Sequence, residues 1–491
     1  MIAQYPALQI VLPLVAAPLC LLLRTTRLVW LIAFAATLAS LAISINLYGE
    51  VLNQGPIRYF MGGWAAPIGI EYRVDQFNAL LLILVCAIAS LVLPFARTSV
   101  DREVPKSRRS LFWCAWLLCF TGLLGITITG DAFNVFVFLE VSSLATYTLI
   151  AAGPNRRGLT SAYQYLITGT IGATFILIGI GMLYMLTGTL NMADLAARLP
   201  EVTQQRTLKA AFVFIVVGSS LKLALFPLHL WMPNAYAYAP SAVTAFIAAT
   251  ATKVSIYVML RFFYTIFGAE FSFQAMPLGE VLMVLSLIAM FSGSLVAIFE
   301  QNTKRMLAYS SVAQIGYIML GVSLATTAGL AAGMLHLFNH ALIKAALFMA
   351  LGAVVYRLGS SQLSNMAGLG KQMPWTMAAF VAGGLCLIGV PLTTGFLSKW
   401  YLVVAGLEAG WTIVPVMILL SSLLAVIYIW KVVEVVYLRP VNDTTAQIKE
   451  APLSLLIPLW IAVAANFAVG LQGGVIWQTV LQAAEQLAGG L

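Results

Sequence analysis

Apolar stretches about as long as a bilayer-spanning helix recur along the whole chain, separated by short clusters of charge, glycine or proline. They begin near residues 7, 28, 76, 111, 131, 163, 208, 240, 279, 306, 328, 375, 411 and 452, which predicts fourteen spans. Barrel strands would instead show apolar and polar positions in alternation, and these runs do not alternate. The expected fold is therefore an all-α polytopic membrane protein. Two stretches between spans read differently: 49–72 as a loop, and 192–205 as a short surface helix followed by a loop. The first run, Ala7 to Leu23, lacks a preceding basic segment and a following small-residue cleavage site, so it reads as a retained span, with the mature chain beginning near Met1.

Composition agrees with that pattern. Of 491 residues, 61% are hydrophobic and 9% charged, a balance foreign to soluble domains of this size. No linker or appended soluble domain interrupts the spans. The five cysteines, Cys20, Cys86, Cys114, Cys119 and Cys386, are scattered through apolar runs without metal or redox spacing, and they read as helix packing. A net charge of +9 might suggest nucleic acid, but no basic surface domain carries it.

The charge is distributed as membrane topology requires. With the amino terminus outside, inward loops hold Arg24, Arg27, five basic residues between Arg97 and Arg109, Arg156, Arg157, Lys304, Arg305, Arg357, Lys371, Arg439 and Lys449. Outward positions hold Arg58, Arg73, Arg198, Arg206, Lys209 and Arg261, which predicts an N-out, C-out chain. The remaining Lys222, Lys253, Lys344, Lys399 and Lys431 fall inside spans. Each costs at least about 2.5 kcal/mol at bilayer depth, so such a residue normally faces a partner or a wet cavity. Lys431 has a simple explanation: Glu434 lies three residues on, near the inner end of a span, where snorkelling and a local ion pair suffice.

The other four lysines point to ion movement. Glu140 lies near mid-span; a neutral glutamine would pack there at lower cost, so a titratable carboxylate with a lysine partner is expected. Lys222 is the expected partner. It precedes Pro227, which cannot donate a backbone hydrogen bond and should break the helix. Lys399 mirrors this, with Pro391 before it and Thr393, Thr394 and Gly395 between. Two interrupted helices about 175 residues apart suggest the internally repeated halves of a transporter. Between them, Lys253 sits among Thr250, Thr252 and Ser255, while His336, His340 and Lys344 recur every four residues on one helical face. Two histidines at that spacing could ligate zinc, but a third ligand is missing, and they could equally be hydrogen-bonded core residues. A proton relay fits the set better, because histidine titrates near neutral pH and desolvation makes a lysine easier to deprotonate. No nucleophile triad, phosphate loop or haem ligand pair is present, so a transporter subunit without cofactor or metal is expected rather than an enzyme.

Several motifs resemble the antiporter-like subunits shared by Mrp-type sodium/proton antiporters, respiratory complex I and membrane-bound hydrogenases. They are Gly130-Asp131-Ala132-Phe133-Asn134 through Glu140, Lys222 through Pro233, Asn339 through Phe348, and Thr394 through Lys399. The resemblance covers roughly residues 70 to 440 and is similar in detail to the D-type Mrp antiporter subunits. It implies three N-terminal spans within 1–110, two inverted five-helix repeats at 111–267 and 279–438, each with a broken helix, and a last span and tail at 439–491. It also implies that Glu140 and Lys222 form an inner gate, that Lys253, His336, His340 and Lys344 form a central axis, and that Lys399 faces a neighbouring subunit or an outer exit. The implied role is proton translocation in a multisubunit Na+/H+ antiporter of a prokaryotic inner membrane, with other membrane subunits as partners. A pumping module of a complex I-type oxidoreductase or hydrogenase, and the membrane subunit of an inorganic-carbon uptake system, are the alternative readings. Lys399 stands where one complex I subunit type carries glutamate, and the short tail leaves no room for the lateral helix of the largest such subunit.

Overall fold

A computed structural model describes residues 4–23, 26–153, 155–441 and 445–489. Met1 and Arg24 lie outside the described residues. The helices are α1 (Tyr5–Leu22), α2 (Thr26–Gln54), α3 (Gln76–Glu103), α4 (Arg109–Ile128), α5 (Ala132–Ala151), α6 (Arg156–Thr187), α7 (Met192–Arg198), α8 (Arg206–Leu223), α9 (Trp231–Tyr238) and α10 (Ser241–Leu260). They continue with α11 (Leu278–Phe299), α12 (Thr303–Ser323), α13 (Thr327–Leu358), α14 (Leu369–Gln372), α15 (Pro374–Ile388), α16 (Thr394–Glu408), α17 (Ile413–Val433), α18 (Leu453–Leu471) and α19 (Gly473–Ala488). Among the described residues, 12 helices are long and apolar enough to cross a bilayer. The two further spans expected from the sequence are the interrupted pairs α8/α9 and α15/α16. The chain is a multi-pass, all-α membrane protein.

Polar residues punctuate these spans. Asp131 caps α5 by accepting from the Asn134 amide at 2.7 Å, Asn302 caps α12 through Arg305, and Thr393 caps α16 through Phe396. Two close backbone approaches place the interrupted helices. A Cβ at Gly218 would meet the Gly172 carbonyl at 2.5 Å, so α8 lies directly against α6 one turn before Lys222. A Cβ at Gly395 would run into the Cys386 carbonyl, so α16 starts against the end of α15.

Hydrogen bonds sort the helix ends into two faces. On one, Tyr257 at the end of α10 donates to Thr127 O of α4 at 2.8 Å, and Arg261 just beyond it pairs with Asp75 before α3. On the other, Lys304 at the start of α12 reaches Ser241 at the start of α10, which in turn donates to Glu103 at the end of α3.

Several expectations need correction. The stretch 49–72 is not simply a loop: α2 runs through Gln54, and an antiparallel hairpin follows, β1 (Ile57–Phe60) with β2 (Glu71–Val74). Its alternation is too short to stand out from a sequence dominated by helical runs. The tail after α18 forms α19, which is amphipathic rather than uniformly apolar and buries Val480, Ala483, Ala484 and Leu487. Lys431 does not pair with Glu434; it donates to Ile298 O at 2.8 Å and Glu300 O at 3.1 Å, capping the end of α11, while Glu434 pairs with Arg439. A lysine in a last turn finds free carbonyls nearer than a carboxylate on its own helix. Lys304 is no loop residue; it is 3% exposed. Arg261, expected at an outward end, is likewise buried.

The hairpin is tied down by Glu71, which accepts from Arg58 at 2.5 Å and Asn191 at 2.8 Å. Burial alone would lift this carboxyl, but those hydrogen bonds and the charges of Arg58 and Arg73 outweigh it and hold the group below its ordinary value. A carboxyl depressed in the folded state contributes stability that is present above the unfolded value, 4.5, and is lost as pH falls through the folded one. Hydrogen-exchange protection of residues 57–74 should therefore drop between pH 6 and pH 3 once intrinsic exchange is corrected for, and Glu71→Gln should remove most of that difference. Equal protection at both pH values in the unmodified protein would contradict this anchoring role.

Candidate functional site: a row of buried lysines and histidines

Glu140 is the ninth residue of α5 and Lys222 the penultimate residue of α8. The two meet: Lys222 Nζ lies 3.3 Å from Glu140 Oε1 and donates to Ser143 Oγ at 2.8 Å. Ser143 follows Glu140 by three residues and so shares its helical face. Helix α8 ends at Leu223, and Ala224 takes a left-handed conformation. Pro227 lies inside the break, three residues after it opens. Leu221 O, freed by the interruption, accepts from Trp231 Nε1 at 2.9 Å, so the break is held by a side chain from α9.

The second break is built differently. Helix α15 ends at Ile388, Gly389 is left-handed, and Pro391 precedes the Thr393 cap of α16. Lys399, beyond the break, reaches back to the carbonyls of Leu387 and Ile388 at 3.1 and 2.8 Å and to Ser422 Oγ at 3.1 Å. Each interrupted segment thus brings one lysine to the carboxyl end of its first half-helix, where the helix dipole and unpaired carbonyls favour a cation.

The middle of the row is the most deeply buried. Lys253, His336, His340 and Lys344 are each 0% exposed, against 4% for Lys222 and 7% for Lys399. Lys253 Nζ donates to Ala248 O at 2.6 Å and to Thr252 Oγ1 at 3.3 Å. Lys344 Nζ donates to Leu307 O at 2.7 Å and Ser310 Oγ at 2.5 Å. His336 bridges Ser398 Oγ at 2.8 Å and Gln314 Oε1 at 2.9 Å. His340 stacks one turn away with ring centroids 6.4 Å apart. Tyr317 packs against His336 at 5.4 Å, beneath the Lys399 ammonium at 4.8 Å, and shares Ser422 with it.

Six of the seven expected residues are therefore buried in one membrane domain and Glu140 is partly exposed, but they are not one continuous hydrogen-bonded wire. Direct polar contact joins Glu140 to Lys222, and His336 reaches Ser398, the neighbour of Lys399. Carbonyl and hydroxyl partners accept from an ammonium or a neutral amine alike, so they hold each lysine without fixing its charge. Among the described residues, no group of three His, Cys, Asp or Glu is placed to hold a metal ion.

Sequence reasoning missed the polar residues that position this row: Ser143, Ser310, Gln314, Tyr317, Ser398 and Ser422. Ser310, Gln314 and Tyr317 fall at i, i+4 and i+7 in their span, a polar stripe at helical spacing that was available as a signal.

The transmembrane family described as NADH:quinone oxidoreductase/Mrp antiporter matches residues 129–466, which contain every residue of the row. The chain belongs to this family. Among curated family members, it is 42% identical to the N subunit of the NADH-quinone oxidoreductase of Desulforudis audaxviator, covering 98% of both chains. It is 31% identical to the D subunit of the Na(+)/H(+) antiporter of Alkalihalophilus pseudofirmus, covering 92% of this chain and 90% of that one. The fold matches a chain in the structure of the membrane-bound sulfane sulfur reductase, an archaeal respiratory membrane complex, with a TM-score of 0.90 and 30% identity, covering 99% of this chain and 98% of that chain.

Proposed function

We propose that this chain is the proton-translocating subunit of a multisubunit Na+/H+ antiporter in a prokaryotic cell membrane, with its termini outside. Protons pass from Glu140 and Lys222 through the central Lys253, His336, His340 and Lys344 to Lys399. The observation that carries this reading is the burial profile: fully enclosed titratable groups at the centre, and a more accessible one at each end. Four lysines at bilayer depth cost about 10 kcal/mol together, comparable to the whole net stability of a typical domain, so an inert scaffold would not retain them. Helices α4–α10 and α11–α17 form two inverted repeats, each with its fourth span interrupted beside a lysine.

The ends of the row also supply surfaces for other membrane subunits. Glu140, 23% exposed, lies on an outward apolar stripe of α5 with Phe133, Val137 and Leu144. Lys399 lies beside exposed Phe396 and Trp400. Covering those stripes with neighbouring subunits would connect the row to their own polar residues.

The 42% identity to a protein named as a quinone oxidoreductase component favours a second reading, in which redox chemistry in a partner drives the same row. Gentle purification of the tagged chain from its native membrane, followed by mass spectrometry, separates the two. Several membrane subunits without redox proteins are expected; iron-sulfur, quinone-binding or hydrogenase subunits would replace the antiporter reading with the redox-driven one.

A further inference from the structure

Lys253, Tyr257 and Arg261 are spaced by four along α10 and its continuation, so they line one helical face over about 12 Å. This face leads from the centre of the row to the side of the molecule that holds the hairpin. It ends in a tightly partnered cation. Arg261 donates to both oxygens of Asp75 at 2.5 and 2.6 Å, to Tyr257 Oη at 2.9 Å and to Thr265 at 3.4 Å. Phe77 and Tyr257 also place their rings within 6 Å of its guanidinium. Beyond the pair lies a void of about 20 Å³ lined by Glu71, Arg73, Asp75, Thr129 and Arg261, roughly the space of one water.

We infer that Arg261, clamped by Asp75 and Tyr257, is a fixed-charge seal that closes the hairpin side to protons at Lys253 and leaves them a sideways route toward His340. A guanidinium keeps its protons at any working pH, so it cannot hand one on. Its charge repels an arriving cation, as arginine does in other membrane pores. Tyr257 cannot bypass it. Its hydroxyl proton is committed to Thr127 O, and its oxygen accepts from Arg261. Tyr257 is 2% exposed, and Leu260 and Ile256 beside it are 0% exposed, so the wall around the seal is closely packed. Arg261 falls toward the end of the span Ser241–Ile266.

This inference rests on Lys253 being a proton carrier. The test uses the purified assembly containing the full chain, in vesicles given a pH step with potassium and valinomycin to clamp the voltage, and reads passive proton leak. Arg261→Gln should raise the leak several-fold, Arg261→Lys should raise it too because an ammonium can release its proton, and adding Lys253→Ala to Arg261→Gln should abolish the increase. Because Arg261→Gln strands Asp75, the paired Asp75→Asn/Arg261→Gln variant serves as a second form and should leak equally. An assembled Gln variant or pair that stays tight, or a leak that survives Lys253→Ala, overturns the seal. Coupled transport by Lys222→Ala is measured alongside. If that variant transports normally, the carrier reading itself falls; if it is inactive while Arg261→Gln stays tight, the seal alone falls.

Discussion

Replacing Lys222 with alanine is expected to reduce proton-coupled transport to the rate of vesicles lacking the complex, while the assembled complex is recovered in normal amount. Lys222 is the buried lysine in ion-pair contact with a carboxylate among the described residues, through Glu140 at 3.3 Å. Removing the ammonium deletes both the proton carrier and the countercharge of Glu140. At 23% exposure on an outward stripe, Glu140 is not enclosed, so assembly should tolerate the change. Glu140→Gln keeps the shape of that side chain and removes its charge, and it should fail in the same assay. Gel filtration of the complex alongside the transport measurement separates loss of function from loss of assembly. Transport near the unmodified rate in either variant would remove the first step of the row.

The second large effect is expected at the other end. Lys399→Arg should abolish transport although it preserves a cation of similar reach. Arginine can still donate to Leu387 O and Ile388 O and so can hold the end of α15. It cannot give up its proton at any accessible pH, which isolates titration from charge. Recovery of the assembled complex with no proton flux would mean that Lys399 must cycle between charge states. Full activity with arginine would mean that position 399 needs only a fixed positive charge, and proton release would have to occur elsewhere.

Much of this arrangement is legible in the sequence, for a physical reason. In a bilayer, a buried lysine or a proline within an apolar run is costly enough that its presence carries information. Lys222, Lys253, Lys344 and Lys399 stand out on that basis alone, and the four-residue spacing of His336, His340 and Lys344 places them on one face. What the sequence hides is partnership. Whether Lys431 meets Glu434 or the end of α11 depends on how α17 packs, and local spacing misleads there. Lys304 looks like a loop residue because it starts a helix, yet packing of α12 against α10 and α3 buries it beside Ser241 and Glu103. Arg261 is similar: only the fold brings Asp75, 186 positions earlier, to its guanidinium. The hairpin and α19 escape the hydropathy pattern because neither is a bilayer-length apolar run.

Proton flux through Lys344 tests the buried row most directly, since this residue is 0% exposed, lies between the two interrupted helices and has no acidic partner among the hydrogen bonds of its ammonium, which go to Leu307 O and Ser310. With the purified complex in vesicles and a fluorescent pH indicator inside, Lys344→Met should show flux indistinguishable from empty vesicles when either the pH gradient or the sodium gradient is applied. Flux at the unmodified rate from a correctly assembled Lys344→Met complex would contradict proton movement along this row.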